Sequence, residues 1–300
     1  MIHYTNCPVC ESENIQPQLS AKDHTVSQKL FSIWHCNVCT ARFTQDVPAA
    51  YEIGAFYASD NYISHSDTKK GFINSLYHLI RKRTLHSKRN LVISKTGMPK
   101  GELLDIGCGT GAFLHTMSAA GWNITGLEPD AVARTKAKEL YDIQPLEPAK
   151  LFELKPASYN AITMWHVLEH VHQLHDYIKQ LAALLTTEGK LFIAVPNYTS
   201  HDAAVYGENW AAYDVPRHLY HFSPKSMEQL LTIYNLKLIT ARPMWYDSFY
   251  VSMLSEKYKN GKGNIIKACW NGLVSNLKAM RDTKKCSSVI YVIEKQPVDS

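Results

Sequence analysis

The chain has 300 residues, 45% of them apolar and 20% charged, with a formal net charge of +5. That length predicts roughly two domains with a buried core, and the composition excludes a disordered or collagen-like chain. The charge excess is small, 32 basic against 27 acidic residues, and points away from a nucleic-acid partner, which would need a concentrated basic stripe. The nearest such clusters, Arg81-Lys82-Arg83 with Lys88-Arg89, and Lys278, Arg281, Lys284 and Lys285, read as solvated helix faces. No apolar run approaches the roughly 20 residues of a transmembrane span. The first residues lack a basic start followed by an apolar stretch, so the expected compartment is the cytoplasm.

Cysteine is the informative residue type. Seven is an odd number, and in a cytoplasmic chain a disulfide framework is not expected. Four of the seven form two pairs, Cys7-Pro-Val-Cys10 and Cys36-Asn-Val-Cys39, with 25 residues between them. Two tight CxxC knuckles can aim four sulfurs at one tetrahedral ion. A zinc-ribbon-like module is therefore expected over residues 1–48, too small to fold on a hydrophobic core alone. A redox dithiol would need one CxxC and not two. Four protein ligands leave no open position, so the expected zinc is structural.

Residues 49–99 read as a connector. Tyr51, Phe56, Tyr57, Tyr62 and His65 lie in a polar, aromatic stretch that either packs on the core or forms a lid. A helix follows, with Phe72, Leu76, Leu79 and Ile80 on one face, and Gly97-Met98-Pro99 ends it. From residue 100 strand and helix alternate. Strands are expected at Glu102–Ile106, Asn123–Glu128, Ala161–Trp165, Lys190–Val195, Leu236–Thr240 and Val289–Ile293. Helices are expected at Ala112–Ala120, Asp130–Tyr141 and Leu168–Leu185, with another starting at Ser223-Pro224. Such alternation predicts an α/β fold whose mainly parallel sheet binds ligands at the carboxyl ends of its strands.

The first of these strands runs into Asp105-Ile106-Gly107-Cys108-Gly109-Thr110-Gly111 and then a helix. Glycines there allow a tight turn and close approach of a ligand. Seventeen residues past Gly111, the second strand ends in Glu128, an acceptor suited to two ribose hydroxyls. A dinucleotide-binding dehydrogenase would place its third glycine one residue later. With Leu127-Glu128-Pro129 and Leu168-Glu169-His170-Val171, these residues resemble class I S-adenosylmethionine (SAM)-dependent methyltransferases of the small-molecule type. The resemblance covers residues 100 to about 240 and implies a Rossmann-like, seven-stranded sheet in a domain of residues 100–300, with an insertion at about 243–286. It implies that Asp105, Gly107, Cys108, Gly109 and Gly111 cradle the amino-acid half of the cofactor, and that Glu128 with Pro129 takes the ribose. Trp165 would sit at the cofactor's edge. Glu147 is the nearest counterpart of the family's adenine-contacting acid.

Methyl transfer from a sulfonium is an in-line displacement, needing positioning and, for a hydroxyl acceptor, a base. Two segments offer it. In Trp165-His166-Val167-Leu168-Glu169-His170, His166, Glu169 and His170 could share one helical face. Relatives such as ubiquinone-pathway O-methyltransferases hold a divalent ion with similar groups there, although the first reading of Glu169 and His170 is the ordinary hydrogen-bonded start of a helix. The second segment, Asp214-Val215-Pro216-Arg217-His218-Leu219-Tyr220-His221, holds more polar chemistry than packing needs. His218 or His221 is the candidate base or substrate partner, with Arg217 beside them. Met164-Trp165-His166 lacks the Asn/Asp-Pro-Pro-aromatic pattern of DNA and protein amino-methyltransferases.

In the insertion, a helix expected over Gly263–Met280 carries Ile265, Ile266, Cys269, Leu273, Leu277 and Met280 on one apolar face. Core packing is its default reading; a roof over a lipophilic acceptor or a homodimer contact is the alternative. The expected function is O-methylation of a small molecule. The rivals are an RNA or protein methyltransferase docked through the ribbon, and a cofactor-binding regulator without turnover.

Overall fold

The computed structural model describes residues 1–57 and 72–296, and side chains throughout these except at 72–79. The expected lid, with Tyr62 and His65, and the helix face of Phe72, Leu76 and Leu79 therefore lie outside the described residues or side chains. Three strands open the chain, β1 (Ile15–Lys22), β2 (Leu30–Cys36) and β3 (Arg42–Thr44), followed by helix α1 (Phe72–Thr96). Alternation then runs through β4 (Glu102–Ile106), α2 (Ala112–Ser118), β5 (Asn123–Leu127), α3 (Ala131–Tyr141), β6 (Tyr159–Trp165), α4 (Leu174–Leu184) and β7 (Leu185–Pro196). After these come α5 (His201–Tyr206), β8 (Tyr220–His221), α6 (Pro224–Ile233), β9 (Leu236–Pro243), α7 (Asp247–Asn260), α8 (Ile265–Arg281) and β10 (Ser288–Lys295).

Local chemistry sets several of these boundaries. Asp130 caps α3 by accepting from Val132 N, and Asp142 ends it in the left-handed region at φ 55°. Ser223 and Ser226 form a reciprocal capping box on α6, with Pro224 in its first turn. One expected helix is divided: Leu168–His170 is a single 3-10 turn and α4 begins only at Leu174. His166, just before it, takes φ 59°, which a continuous right-handed helix through 166–170 would not allow. His166, Glu169 and His170 do not share a helical face.

A mixed six-stranded sheet has the order β5-β4-β6-β7-β10-β9, with β4 parallel to both β5 and β6. This is the α/β Rossmann-like arrangement expected, but with six strands among the described residues, not seven. Beyond β5 the pairing shrinks to one parallel bridge, Leu127 to Leu146. Leu146 N donates to Gly126 O and Glu128 N to Leu146 O, but Pro148, two residues on, has no N–H with which to extend the ladder.

The chain divides into two compact units. Among the described residues, one comprises 1–57, 168–176 and 194–291, and the other 72–167, 177–193 and 292–296. In the first, the ribbon unit, a second sheet has the order β1-β2-β3-β8, so Arg42 and Phe43 of β3 pair antiparallel with His221 and Tyr220 of β8. Its core gathers Phe31, Ile33, Tyr206, Trp210, Tyr213 and Val215. The second, the glycine-loop unit, is packed around Leu103, Leu114, Met117, Trp122, Phe192 and Val292.

The insertion holds two helices, α7 as well as α8. Helix α7 buries Ser248, Ser252, Ser255 and Glu256 with one large apolar residue, Val251, so hydrophobic periodicity gave no sign of it. The apolar face expected to pack α8 in the core is turned outward: Ile266 is 83% exposed and Met280 72%. Its small residues Ala268, Gly272, Ser275 and Ala279 are buried instead. They allow close approach: a Cβ on Gly272 would meet Phe249 Cδ1 at 2.7 Å. No helix among the described residues is long and apolar enough to cross a membrane.

Candidate active site

In the glycine-loop unit, β4 delivers the chain into Gly107, Gly109 and Gly111, all left-handed, with φ of 70°, 55° and 79°. Gly107 is required twice over, because a Cβ there would lie 2.4 Å from Val167 Cγ2. A Cβ on Gly109 would meet nothing within 4 Å, so the loop faces open space there. Gly107 N and Cys108 N both donate to Leu127 O and tie the loop to the end of β5.

Two buried carboxylates flank this loop. Glu128 accepts from Gly109 N with Oε2 (2.8 Å) and from Asp130 N with Oε1 (2.9 Å), leaving each oxygen a further lone pair for a hydroxyl. Asp105 is 1% exposed and accepts from Thr163 Oγ1 at 2.6 Å. Burial pushes its carboxyl up to about 7, against the opposing effects of the Thr163 hydrogen bond and the Lys88 charge. An ammonium group beside it would restore its charge, as the amino-acid half of SAM would. The residues thus fit the cofactor that the resemblance implied.

The remaining cofactor candidates differ in kind. Cys108 is buried, and its Sγ lies 2.8 Å from where a Gly126 Cβ would be, so its thiol is packing and burial pushes its pKa upward. Pro129 is exposed. Trp165 stands edge-on to Phe113 at 5.5 Å, with Lys88 Nζ 4.3 Å from its ring centroid. Glu147 is paired with Arg134 at 3.0 Å. Neither Lys88 nor Thr163 has a sequence signal.

In the ribbon unit, the sulfurs of Cys7, Cys10, Cys36 and Cys39 all lie within 4.8 Å of one another. Cys7 and Cys39 are 3.5 Å apart and Cys10 and Cys36 3.6 Å, close to the roughly 3.8 Å edge of a tetrahedron with 2.3 Å zinc–sulfur bonds. The knuckles are built alike. Val9 N donates to Cys7 Sγ and Ala41 N to Cys39 Sγ, each at 3.4 Å, and Glu11 and Thr40 close the turns at φ 61° and 64°. Amides aimed at sulfur favour thiolates, the form that binds zinc.

The same unit gathers Arg217, His218, His221 and His170. Arg217 is 1% exposed and makes two bonds to Asp214 (2.5 and 3.0 Å), with Asp23 at 3.5 Å and Phe56 O accepting at 2.9 Å. This is a buried ion cluster that fixes the loop. His221 is also buried: its Nε2 lies 3.1 Å from Thr44 Oγ1, whose hydroxyl donates to His218 O at 2.7 Å. The ring nitrogen is therefore the donor in that pair.

His218 and His170 are placed differently. His218 Nδ1 donates to Ala212 O at 2.8 Å, which leaves Nε2 as the basic nitrogen, with Asp214 Oδ2 at 3.8 Å. His170 Nδ1 donates to Arg217 O at 3.0 Å, with Tyr57 Oη also at 3.0 Å. The two rings meet edge to face at 4.6 Å, and one donor atom each from Glu169, His170 and His218 lie within 4.8 Å of one another. Burial works against ionising Asp214, but Arg217 and the neighbouring histidines hold its carboxyl below the usual range. Asp23 was not expected from sequence, although Asp-x-Thr-x-Ser at 23–27 is a turn signature; Thr25 and Ser27 donate to it from backbone and side chain.

Burial, then the His218 and Arg42 charges, hold the His221 imidazole well below its ordinary pKa of 6.5, and burial with His218 pushes His170 down to about 4. A histidine depressed in the folded state binds its proton preferentially when unfolded. The contribution of these two histidines is therefore intact above about pH 6.5 and is lost as pH drops from there toward the folded pKa values, while buried Asp105, raised to about 7, shifts stability the opposite way. Over that window the urea midpoint of His221→Gln should decline less than that of the parent protein, because the variant lacks one of the depressed imidazoles. Parallel profiles in the two proteins would contradict this.

Comparison with known proteins agrees with this geometry. The methyltransferase-domain family matches residues 77–241. A ubiquinone biosynthesis O-methyltransferase of Xanthomonas campestris pv. campestris is 28% identical over 171 residues, covering 52% of this chain and 71% of that protein. The enzyme of the same name from Nitrosococcus oceani is 29% identical over 173 residues, covering 53% and 71%. In fold, the chain resembles magnesium protoporphyrin IX methyltransferase of Synechocystis PCC 6803, solved with bound SAH. That match has a TM-score of 0.51 and 14% identity, covering 80% of this chain and 97% of that one. With a glycine-loop cradle fitted to SAM and a family match over more than half its length, the chain belongs to the methyltransferase-domain family and is a class I SAM-dependent methyltransferase.

Proposed function

We propose that this enzyme methylates an oxygen of a small-molecule acceptor, with His218 as the general base. The observation that carries the reading is the His218 hydrogen bond to Ala212 O, which fixes Nδ1 as donor and leaves Nε2 to accept the acceptor's proton. Asp214, held ionised by Arg217, supports the imidazolium that results. The names of the sequence relatives, O-methyltransferases of ubiquinone biosynthesis, support oxygen as the atom and a small molecule as the acceptor. Arg217, His170 and His221 are positioning residues in this reading: Arg217 spends all three nitrogens on Asp214 and Phe56 O, His170 Nδ1 donates to Arg217 O, and His221 Nε2 donates to Thr44. SAM, when bound, supplies the electrophilic methyl. Asp105 and Glu128 would hold its ammonium and ribose, the glycine loop would let it approach the backbone, and zinc in the four-cysteine site would be structural.

Incubation with methyl-labelled SAM and a cell extract tests the reading. Label should enter the small-molecule fraction, and His218→Ala should lower transfer by about 10²–10⁴-fold with SAM affinity unchanged. Label found only in protein or RNA, or full transfer by that variant, would sink it. A second reading is favoured by the proximity of the Glu169, His170 and His218 donor atoms, which also suits a divalent cation. Each histidine donates its other ring nitrogen to a backbone carbonyl, as metal ligands usually do. Calorimetric titration with Mg²⁺ or Zn²⁺, compared with Glu169→Gln, separates the two.

A further inference from the structure

Helix α8 carries its large apolar side chains on the face that its own docking leaves outside. Ser275 Oγ donates to the buried carboxylate of Asp202 at 2.7 Å, and Gly272 lies against Phe249, which together fix the rotation of the helix. Ile266, Trp270, Leu273, Leu277 and Met280 are then 44–83% exposed. Their spacing of four, three, four and three residues makes one continuous stripe. Such a stripe is far from the scattered single apolar residues of an ordinary surface.

The charge around it is equally one-sided. Between residues 257 and 285 there are eight lysines and arginines and a single acid, Asp282, although the whole chain carries only +5. The helix itself contributes exposed Lys267, Lys278 and Arg281 and no acidic residue. Lys284 is partly neutralised by Glu228 and Lys278 bonds His201, so the surplus is reduced there but not reversed.

We infer that this face docks on an anionic lipid surface. Ile266, Trp270, Leu273, Leu277 and Met280 would enter the boundary between headgroups and acyl chains, and the flanking cations would meet lipid phosphates. A second copy of the chain is the poorer occupant, because a two-fold contact sets each patch against its like-charged equivalent. A nucleic acid would satisfy the cations but offers isoleucine, leucine and methionine no apolar layer. The inference is independent of the acceptor's identity.

Sedimentation of the full chain with phosphatidylglycerol/phosphatidylcholine vesicles, and with phosphatidylcholine vesicles alone, tests it. Binding to the mixed vesicles and release by salt are expected. Each of Lys267→Gln and Lys278→Gln should weaken binding about fivefold. Trp270→Glu combined with Leu277→Glu should weaken it at least about tenfold. A second readout uses exposed Cys269, on the same face, labelled with an environment-sensitive dye whose emission should shift blue on anionic vesicles alone. SAM affinity, measured calorimetrically, should stay at the parent value in every variant and so report an intact fold. No binding to mixed vesicles, undiminished binding by the Trp270/Leu277 double variant, tighter binding to tRNA than to vesicles, or a dimer that already buries the Cys269 dye would each overturn it.

Discussion

Replacing Cys36 and Cys39 together with serine should unfold the amino-terminal sheet and abolish methyl transfer. Zinc held by four thiolates contributes on the order of 10–16 kcal/mol of apparent folding free energy in small metal-dependent domains, as much as the roughly 5–15 kcal/mol net stability of a whole domain. The loss would not stop at the ribbon. Strand β3 pairs with β8, and Thr44 on β3 bonds both His218 O and His221 Nε2. Arg42, also on β3, donates to Tyr213 Oη at 2.7 Å. Melting this sheet therefore releases the segment that carries the proposed base. Metal analysis, limited proteolysis and labelled-methyl transfer check the prediction. A variant with parent protease resistance and no bound zinc would show that the metal is not structural.

Gly107→Ala should cost about a hundredfold in SAM affinity. The left-handed φ of 70° penalises any side chain by roughly 1–2 kcal/mol, and a Cβ at 2.4 Å from Val167 Cγ2 adds roughly 1–3 kcal/mol of overpacking. The sum, roughly 2–5 kcal/mol, corresponds to about one and a half to three and a half factors of ten in binding if the loop distorts to relieve it. It cannot shift freely, since Gly107 N is bonded to Leu127 O at 2.7 Å. Gly107→Ala combined with Val167→Ala should recover the steric part and not the backbone part. Gly109→Ala, with open space around its Cβ, should leave thermal stability closer to the parent while still obstructing the cradle. Calorimetric SAM titration and thermal unfolding of the three variants decide this; unchanged affinity in Gly107→Ala would refute it.

Several elements were legible because their signals are local. Asp130 before an amphipathic run places the start of α3, and Ser223-Pro224 that of α6, with no help from the rest of the chain. Two CxxC pairs similarly announce a four-sulfur site, and it is formed by the residues the spacing named. Where sequence reading failed, the deciding contact was distant or the pattern was weak. Leu168–Leu185 looked helical, but Leu219 N takes the carbonyl of Glu169 and His166 adopts a left-handed φ, so regular helix starts only at Leu174. Helix α7 was missed because it packs through serines, which a hydrophobic period does not register.

The sequence alone determined the strand-helix alternation from β4 to β7, the glycine loop, the acid at the end of β5 and the four cysteines that cluster. Each follows from short-range stereochemistry or from ligand spacing within a few residues. Tertiary structure decided which polar atoms are buried and bonded within the protein. Of the two histidines read as the candidate base, His221 is buried with Nε2 bonded to the Thr44 hydroxyl, whereas the His218 bond to Ala212 O leaves Nε2 of His218 as the proposed base. It also decided that α8 buries its small residues and exposes its large ones, because the buried carboxylate of Asp202 and the close approach of Phe249 outweigh the rule that apolar faces turn inward.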